Sequence, residues 1–142
     1  MSNPIVQYQS AITLSQVFVK QIKWDATSGN PSCTDNVSLN LRTEIKFPAE
    51  YEKLFLVEFF ADFKNKREDA QDQIKLNVHF VAVFSTADVI SEEFKTSHFA
   101  RVNAPAIAFP FLRSFITTLT GNNGYNTIML QSINFAATLS GQ

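Results

Sequence analysis

The side chains able to do chemistry are few and far apart in this chain. Cys33 is the only thiol, set in the polar run DATSGNPSCTDN, and the two histidines are His79, inside the apolar run NVHFVAV, and His98. A cysteine nucleophile needs a base beside it, and zinc needs three or four S or N donors at close spacing. Neither histidine has a Cys, His or carboxylate at metal-ligand spacing, and Cys33 lies far in sequence from both. Carboxylates are present as Glu44, Glu58, Asp62, Glu92 and Glu93. Acid–base work by a pair of them requires burial to push their pKa values apart, which no spacing here specifies, and Glu92-Glu93 suits a solvated helix start or turn. There is no G-x-S-x-G elbow and no Gly-rich phosphate loop, and the whole chain has four glycines. The expectation is a protein that is not an enzyme and uses no metal or cofactor. His79 is expected at a partly exposed strand edge and His98 in a loop.

What remains is apolar surface. The 142 residues suit one domain, residues 1–142, with a substantial core. Fourteen Phe residues mean either a very aromatic core or aromatic surface kept for binding. A net charge of −1 gives no basic footprint for nucleic acid. One cysteine allows no internal disulfide, and MSNPIVQYQS lacks the basic and apolar regions of a signal peptide, so an intracellular location is expected. No apolar run approaches the roughly 20 residues of a bilayer span, which argues against direct membrane insertion.

Strand periodicity is clear over residues 37–47, where Val37, Leu39, Leu41, Ile45 and Phe47 alternate with Ser38, Asn40, Arg42, Glu44 and Lys46. Residues 14–24 read as a strand with Leu14, Phe18, Ile22 and Trp24 in phase and Val17 and Val19 opposite. Residues 51–63 and 74–84 supply two more, joined by a charged tip over 64–72. Leu54, Leu56 and Phe60 point away from the main apolar face of the third strand, so the other side of the sheet is expected to be covered or paired as well. Residues 25–36 are too long for a hairpin turn, and such a loop either crosses the sheet edge or walls it. Four strands followed by helical sequence predict an α+β fold with a four-stranded antiparallel sheet and helices on one face.

The helical segment is predicted over residues 108–120, with Pro110 in its first turn and Gly121 as the left-handed cap. Phe109, Phe111, Leu112, Phe115, Ile116 and Leu119 form a broad apolar arc, and the remaining face, Ser114, Thr117, Thr118 and Thr120, carries Arg113 as its only charge. Such a helix is either a core helix with a mild solvent face or one sandwiched between its own sheet and a second subunit.

The order of these elements resembles the bacterial export chaperone family SecB over about residues 11–139. The resemblance rests on Phe109-Pro110-Phe111-Leu112-Arg113, on Gly124-Tyr125, on Ile133-Asn134-Phe135 near the last helix, and on VFVKQIKW and VAVF in the first and fourth strands. It implies a cytoplasmic bacterial holdase that works without ATP, binds unfolded or precursor polypeptides in hydrophobic grooves and delivers them to the export motor SecA. Non-directional apolar burial suits such a role, because it demands no single client sequence. It further implies a homotetramer, a dimer of dimers, or a dimer, with helices sandwiched between sheets and Arg113, Ser114, Thr117 and Thr118 at the interface. Client contacts map onto Trp24, Val37, Leu39, Leu41, Phe135 and Leu139, each of which is equally compatible with a plain core position.

Two departures stand beside the resemblance. Family members present acidic motor contacts at positions aligning with Gln21, Asp25 and Asn77, of which only Asp25 keeps the charge, and Lys75 close by adds the opposite sign. The chain also reaches Gln142 soon after Phe135, so a last helix of a turn or two is expected, with one groove wall short. The sequence therefore leaves a general export chaperone, a specialised relative serving a toxin–antitoxin pair, and a scaffold subunit binding one folded partner.

Overall fold

The computed structural model describes residues 12–27, 30–67, 69 and 72–140. Four strands, β1 (Ile12–Ala26), β2 (Val37–Lys46), β3 (Leu54–Asn65) and β4 (Ile74–Thr86), form one antiparallel sheet in the order β1-β4-β3-β2. The last three make a meander and β1 returns beside β4, a Greek-key arrangement that puts β1 and β2 at opposite edges. The connection between them therefore crosses the whole end of the sheet. It is held there by Thr27 N–H to the Gln73 carbonyl (2.9 Å), the Asn65 amide to the Cys33 carbonyl (2.9 Å) and Lys66 N–H to the Asn36 carbonyl (3.0 Å). A 3-10 turn over Pro31–Thr34 lies midway.

After β4 come a short helix α1 (Glu92–Lys95), a π-helical turn (Phe99–Asn103), the main helix α2 (Ala104–Asn122) and a last helix α3 (Phe135–Ser140). All pack on one face of the sheet. Alternation in β3 sends Phe55, Val57, Phe59, Ala61 and Phe63 inward, where they meet Leu76, Val78, Phe80, Ala82 and Phe84 of β4 and Ala108, Phe109, Leu112 and Ile116 of α2. The Phe residues are mostly core. Phe55 stacks on Phe84 with centroids 5.1 Å apart, and Phe135 sits against both Phe59 (6.1 Å) and Phe109 (5.8 Å).

β1 does not keep a single period. Its pairing with β4 slips between Leu14 and Gln16 and again between Val19 and Gln21. Each bulge inserts one residue and reverses the alternation. Leu14 pairs with Phe84, Val17 with Ala82, Val19 with Phe80, Ile22 with Val78 and Trp24 with Leu76, so these share the helix side of the sheet, whereas Phe18 pairs with Val81 on the outer side. Val17 and Val19 are thus in phase with Leu14 and Trp24, and Phe18 is not.

α2 is longer than its periodicity predicts. Pro105 occupies its first turn, and Pro110 lies in the interior. The ring at 110 deprives only the Ala106 carbonyl of its i+4 donor, and both residues are on the exposed side, where water can serve that carbonyl. Gly121 is helical, and the left-handed residue is Gly124 (φ 85°). At Gly121 the missing side chain serves packing, because a Cβ would meet the Thr127 methyl at 3.1 Å. Thr120, expected on the polar face, is fully buried. Its hydroxyl donates to the Ile116 carbonyl (2.9 Å) and accepts from Ile128 N–H (3.0 Å), fastening the strap after α2 to the helix.

Replacing Thr120 by Val keeps the shape and leaves the Ile128 N–H buried without an acceptor, a loss of about 1–3 kcal/mol. Denaturant unfolding should register that loss for Thr120→Val and a much smaller one for Thr120→Ser.

Candidate functional site

β2 is an edge strand, paired on one side only, by β3. A groove of about 920 Å³ runs along it, lined consecutively by Asn40, Leu41, Arg42, Thr43, Glu44, Ile45 and Lys46 and closed on the far side by Arg101, Ile133 and Phe135. Leu41, Thr43 and Ile45 are on the helix side of the sheet, with Leu41 opposite the small Ala61. The far wall is fixed from below. Asn134 caps α3 by accepting from Ala136 N–H (3.1 Å) and Ala137 N–H (3.2 Å), and Phe135 wedges between Phe59 and Phe109. The groove therefore has an apolar floor, a strand edge along one side and a rim of long polar side chains.

That rim is wired into the outer face of the sheet. The register places Lys46, Glu44 and Arg42 of β2 beside Leu56, Glu58 and Phe60 of β3, and Glu58 and Phe60 beside Val81 and His79 of β4. Glu58 is 2 % exposed although no helix covers this face. Its carboxylate takes Lys46 Nζ (2.8 Å) and His79 Nε2, Arg42 pairs with Glu44, and the Phe60 ring is held between the Arg42 guanidinium (4.0 Å) and the His79 imidazole (4.1 Å). Burial by itself pushes the Glu58 carboxyl up, but the hydrogen bonds and charges of Lys46 and His79 outweigh it and hold the carboxyl below its usual value. The bond to Glu58 likewise raises Lys46 against a smaller opposing effect of burial. Leu54, Leu56 and Phe60 are half-buried on this face, where the Phe60 ring lies between Arg42 and His79. His79 is correspondingly on a central strand and not at an edge.

Of the residues singled out in the sequence, Leu41 and Phe135 meet in the groove, with Phe135 (7 % exposed) as its floor. Val37 and Leu39 continue the helix side of β2 opposite Asn65 and Phe63. Trp24 is on β1 at the other edge, against Tyr125 with centroids 5.1 Å apart and with Ile22 (44 % exposed) nearby on the same strand. The side chain of Leu139 lies outside the described residues. Gln21, Asp25, Lys75 and Asn77 share the outer face of β1 and β4, where Asp25 pairs directly with Lys75 and Gln21 with His79. Ser114 and Thr118 are exposed on α2 and Arg113 half-buried, while the Thr117 hydroxyl lies 3.1 Å from the Arg113 and Ile128 carbonyls of its own chain.

Sequence reasoning passed over Ile133 and Arg101 as groove walls and the Glu58–His79 pair as a unit. A lone Glu inside LFLVEFFADF was the available signal for the latter. Cys33 is buried, and burial, followed by the charge of Asp72, pushes its thiol up, away from the reactive thiolate. Among the described residues no three His, Cys, Asp or Glu side chains gather to hold a metal ion, and no helix is long and apolar enough to cross a membrane.

The family model described as preprotein translocase subunit SecB matches residues 6–142. An uncharacterized protein of Methanocaldococcus jannaschii is 28% identical over 133 residues, covering 92% of this chain and 83% of that protein. The protein-export protein SecB of Jannaschia sp. is 27% identical over 113 residues, covering 79% of this chain and 63% of that protein. In three dimensions the chain is similar to the Mycobacterium tuberculosis SecB-like chaperone Rv1957, solved in complex with a ChAD peptide from the HigA1 antitoxin. The TM-score is 0.68 at 15% identity, over 88% of this chain and 92% of that one. This likeness bears out the four-stranded antiparallel sheet with its helix packed on one face.

The Glu58 cluster carries a signed pH prediction. A carboxyl depressed by folding stabilises the native state above its unfolded pKa, about 4.3, and that contribution is lost as pH falls through the lower folded value. Glu58→Gln should lower the unfolding free energy by about 1–2 kcal/mol at pH 7. The gap in melting temperature between the two proteins should be widest near pH 7 and narrow as pH falls below about 4.3, as protonation removes the charge of wild-type Glu58.

Proposed function

The chain belongs to the SecB family, and from that premise we propose that it is a holdase, keeping non-native polypeptides from aggregating by binding extended segments in the groove along β2. The observation that carries this reading is the groove itself. Seven successive β2 residues from both pleat faces line it, so what it offers is a strand edge together with an apolar floor. A strand edge matches any backbone and a floor of Leu41, Ile45, Ile133 and Phe135 matches many side chains, which together suit clients of unrelated sequence. The Trp24, Ile22 and Tyr125 cluster at the other edge of the sheet extends the apolar surface available to a long client. The peptide-bound state of the M. tuberculosis chaperone supports a polypeptide segment as the kind of ligand.

The working unit is proposed to be a homo-oligomer. On α2, Ile107 (44 % exposed) and Phe111 (46 % exposed) continue into Ser114 and Thr118, and Arg113 is the only ionised group on the helix. An uncharged face of that kind is desolvated at low cost by a second copy.

One observation favours a specialised relative over a general export factor. At the outer-face positions that the family resemblance assigns to the motor SecA, Gln21 and Asn77 are uncharged and Lys75 stands opposite Asp25. A dedicated client, such as one component of a toxin–antitoxin pair, accounts for a groove that is kept while the motor contact is altered.

Aggregation of two unrelated unfolding proteins, thermally stressed citrate synthase and reduced insulin, tests the holdase reading. Suppression of both near one oligomer per client is the expected result, and no suppression by a well-folded sample overturns it. Leu41→Ser removes on the order of 1.5 kcal/mol of apolar contact and should raise the concentration needed by roughly tenfold. Light scattering on Phe111→Asp should return a smaller assembly than wild type with unchanged circular dichroism.

A further inference from the structure

Although the chain as a whole is slightly acidic, the groove is not. Its lining holds three cations, Arg42, Lys46 and Arg101, against one carboxylate, Glu44. That carboxylate is already shared by Arg42 and by Lys46 (3.6 Å), and Lys46 is also bound to the buried Glu58. Arg101 differs. It is half-buried on the wall facing β2, its Nε donates to the Lys95 carbonyl (2.8 Å), its guanidinium stands 5.8 Å from the Phe47 ring, and among the described residues it has no carboxylate within ion-pair distance. The neighbouring Lys95 takes Glu92 (2.8 Å), and neither Glu92 nor Glu93 of α1 is within ion-pair distance of Arg101.

We infer that the groove selects client segments in which apolar anchors are flanked by acidic side chains, with Arg101 as the specificity-determining contact. The inference rests on the holdase reading above and adds the client chemistry. An acidic flank meets a guanidinium with free donors at the border of an apolar floor, where charge-assisted hydrogen bonds are strong. A basic flank meets the same guanidinium, together with Arg42 and Lys46, as like charge, so the groove rejects as well as attracts. Selection of this kind concentrates in the rate of encounter and in salt dependence, since the rim is only partly shielded from solvent.

The test uses three fluorescein-labelled ten-residue peptides with one alternating Leu/Ser centre, bracketed by two Asp, two Ser or two Lys at each end, titrated with the wild-type protein at low salt. The Asp-flanked peptide is expected to bind about tenfold more tightly than the Lys-flanked one, with the Ser-flanked peptide between them, and the spread should close as salt approaches roughly 0.5 M. Arg101→Gln should reduce the Asp-over-Lys preference to about threefold and Arg101→Lys should restore most of it, a pattern that general damage to the fold does not produce. Equal affinity for the three peptides, each displaced by reduced and carboxymethylated α-lactalbumin, overturns the inference and leaves the holdase reading intact. No binding of any peptide or of α-lactalbumin overturns both.

Discussion

The main helix is too narrow for the sheet beneath it, and the grooves on this molecule follow from that mismatch. Four strands at about 4.8 Å spacing make a surface on the order of 19 Å wide, while a helix with its side chains is about 10–12 Å across. α2, with 19 residues, is long enough to run the length of the central strands and brings Phe109 against Phe59 and Phe115 against Phe80, while Phe47 and, from α1, Phe94 close over Phe55. The main helix cannot reach both edges. At β2 the uncovered margin becomes the groove of Leu41, Ile45, Ile133 and Phe135, and at β1 it leaves Ile22 exposed and Trp24 half-exposed, with a smaller cavity of about 410 Å³ between Ile12, Leu14 and Ile107. The strap after α2 partly fills the deficit, and the bonds of Thr120 and Asn134 hold it in position as a groove wall.

The outer face solves a different problem. A sheet surface without a covering layer would ordinarily show polar side chains to water, but here Val81 and Glu58 are each 2 % exposed. Arg42 and His79 lie against the two sides of the Phe60 ring, Lys46 and His79 meet the buried Glu58, and Arg42 meets Glu44. Arg42 and Lys46 also form the rim of the groove. The charges that stabilise the bare face therefore also stand on the groove rim.

Much of this was legible in the sequence, and the parts that were not have identifiable causes. β2 holds a strict two-residue period, so its faces follow from hydropathy alone, whereas β4 alternates only as far as Phe80 and then runs apolar on both faces through Val81 and Val83. The α+β fold follows from the order of elements. β1 carries two bulges, invisible to periodicity, so a constant period places Phe18 on the helix side although it faces outward. Pro110 and Gly121 were given cap roles because both usually mark helix ends, whereas an exposed backbone at Ala106 and a close approach at Thr127 allow them inside the helix. Thr120 was misassigned because a hydroxyl reads as polar until its partners are known. The family resemblance supplied β2 and the last helix as groove walls. It did not supply Arg101 or Ile133, which reach the groove only through the packing of the π-helical turn and the strap.

Amide hydrogen exchange of the intact protein, with and without reduced and carboxymethylated α-lactalbumin, addresses the central claim directly. Slowed exchange confined to residues 40–46 and 133–135, with the outer-face strand centres and α2 unchanged, is what binding along the β2 edge predicts. Protection elsewhere, with β2 exchanging at its free rate, would contradict it.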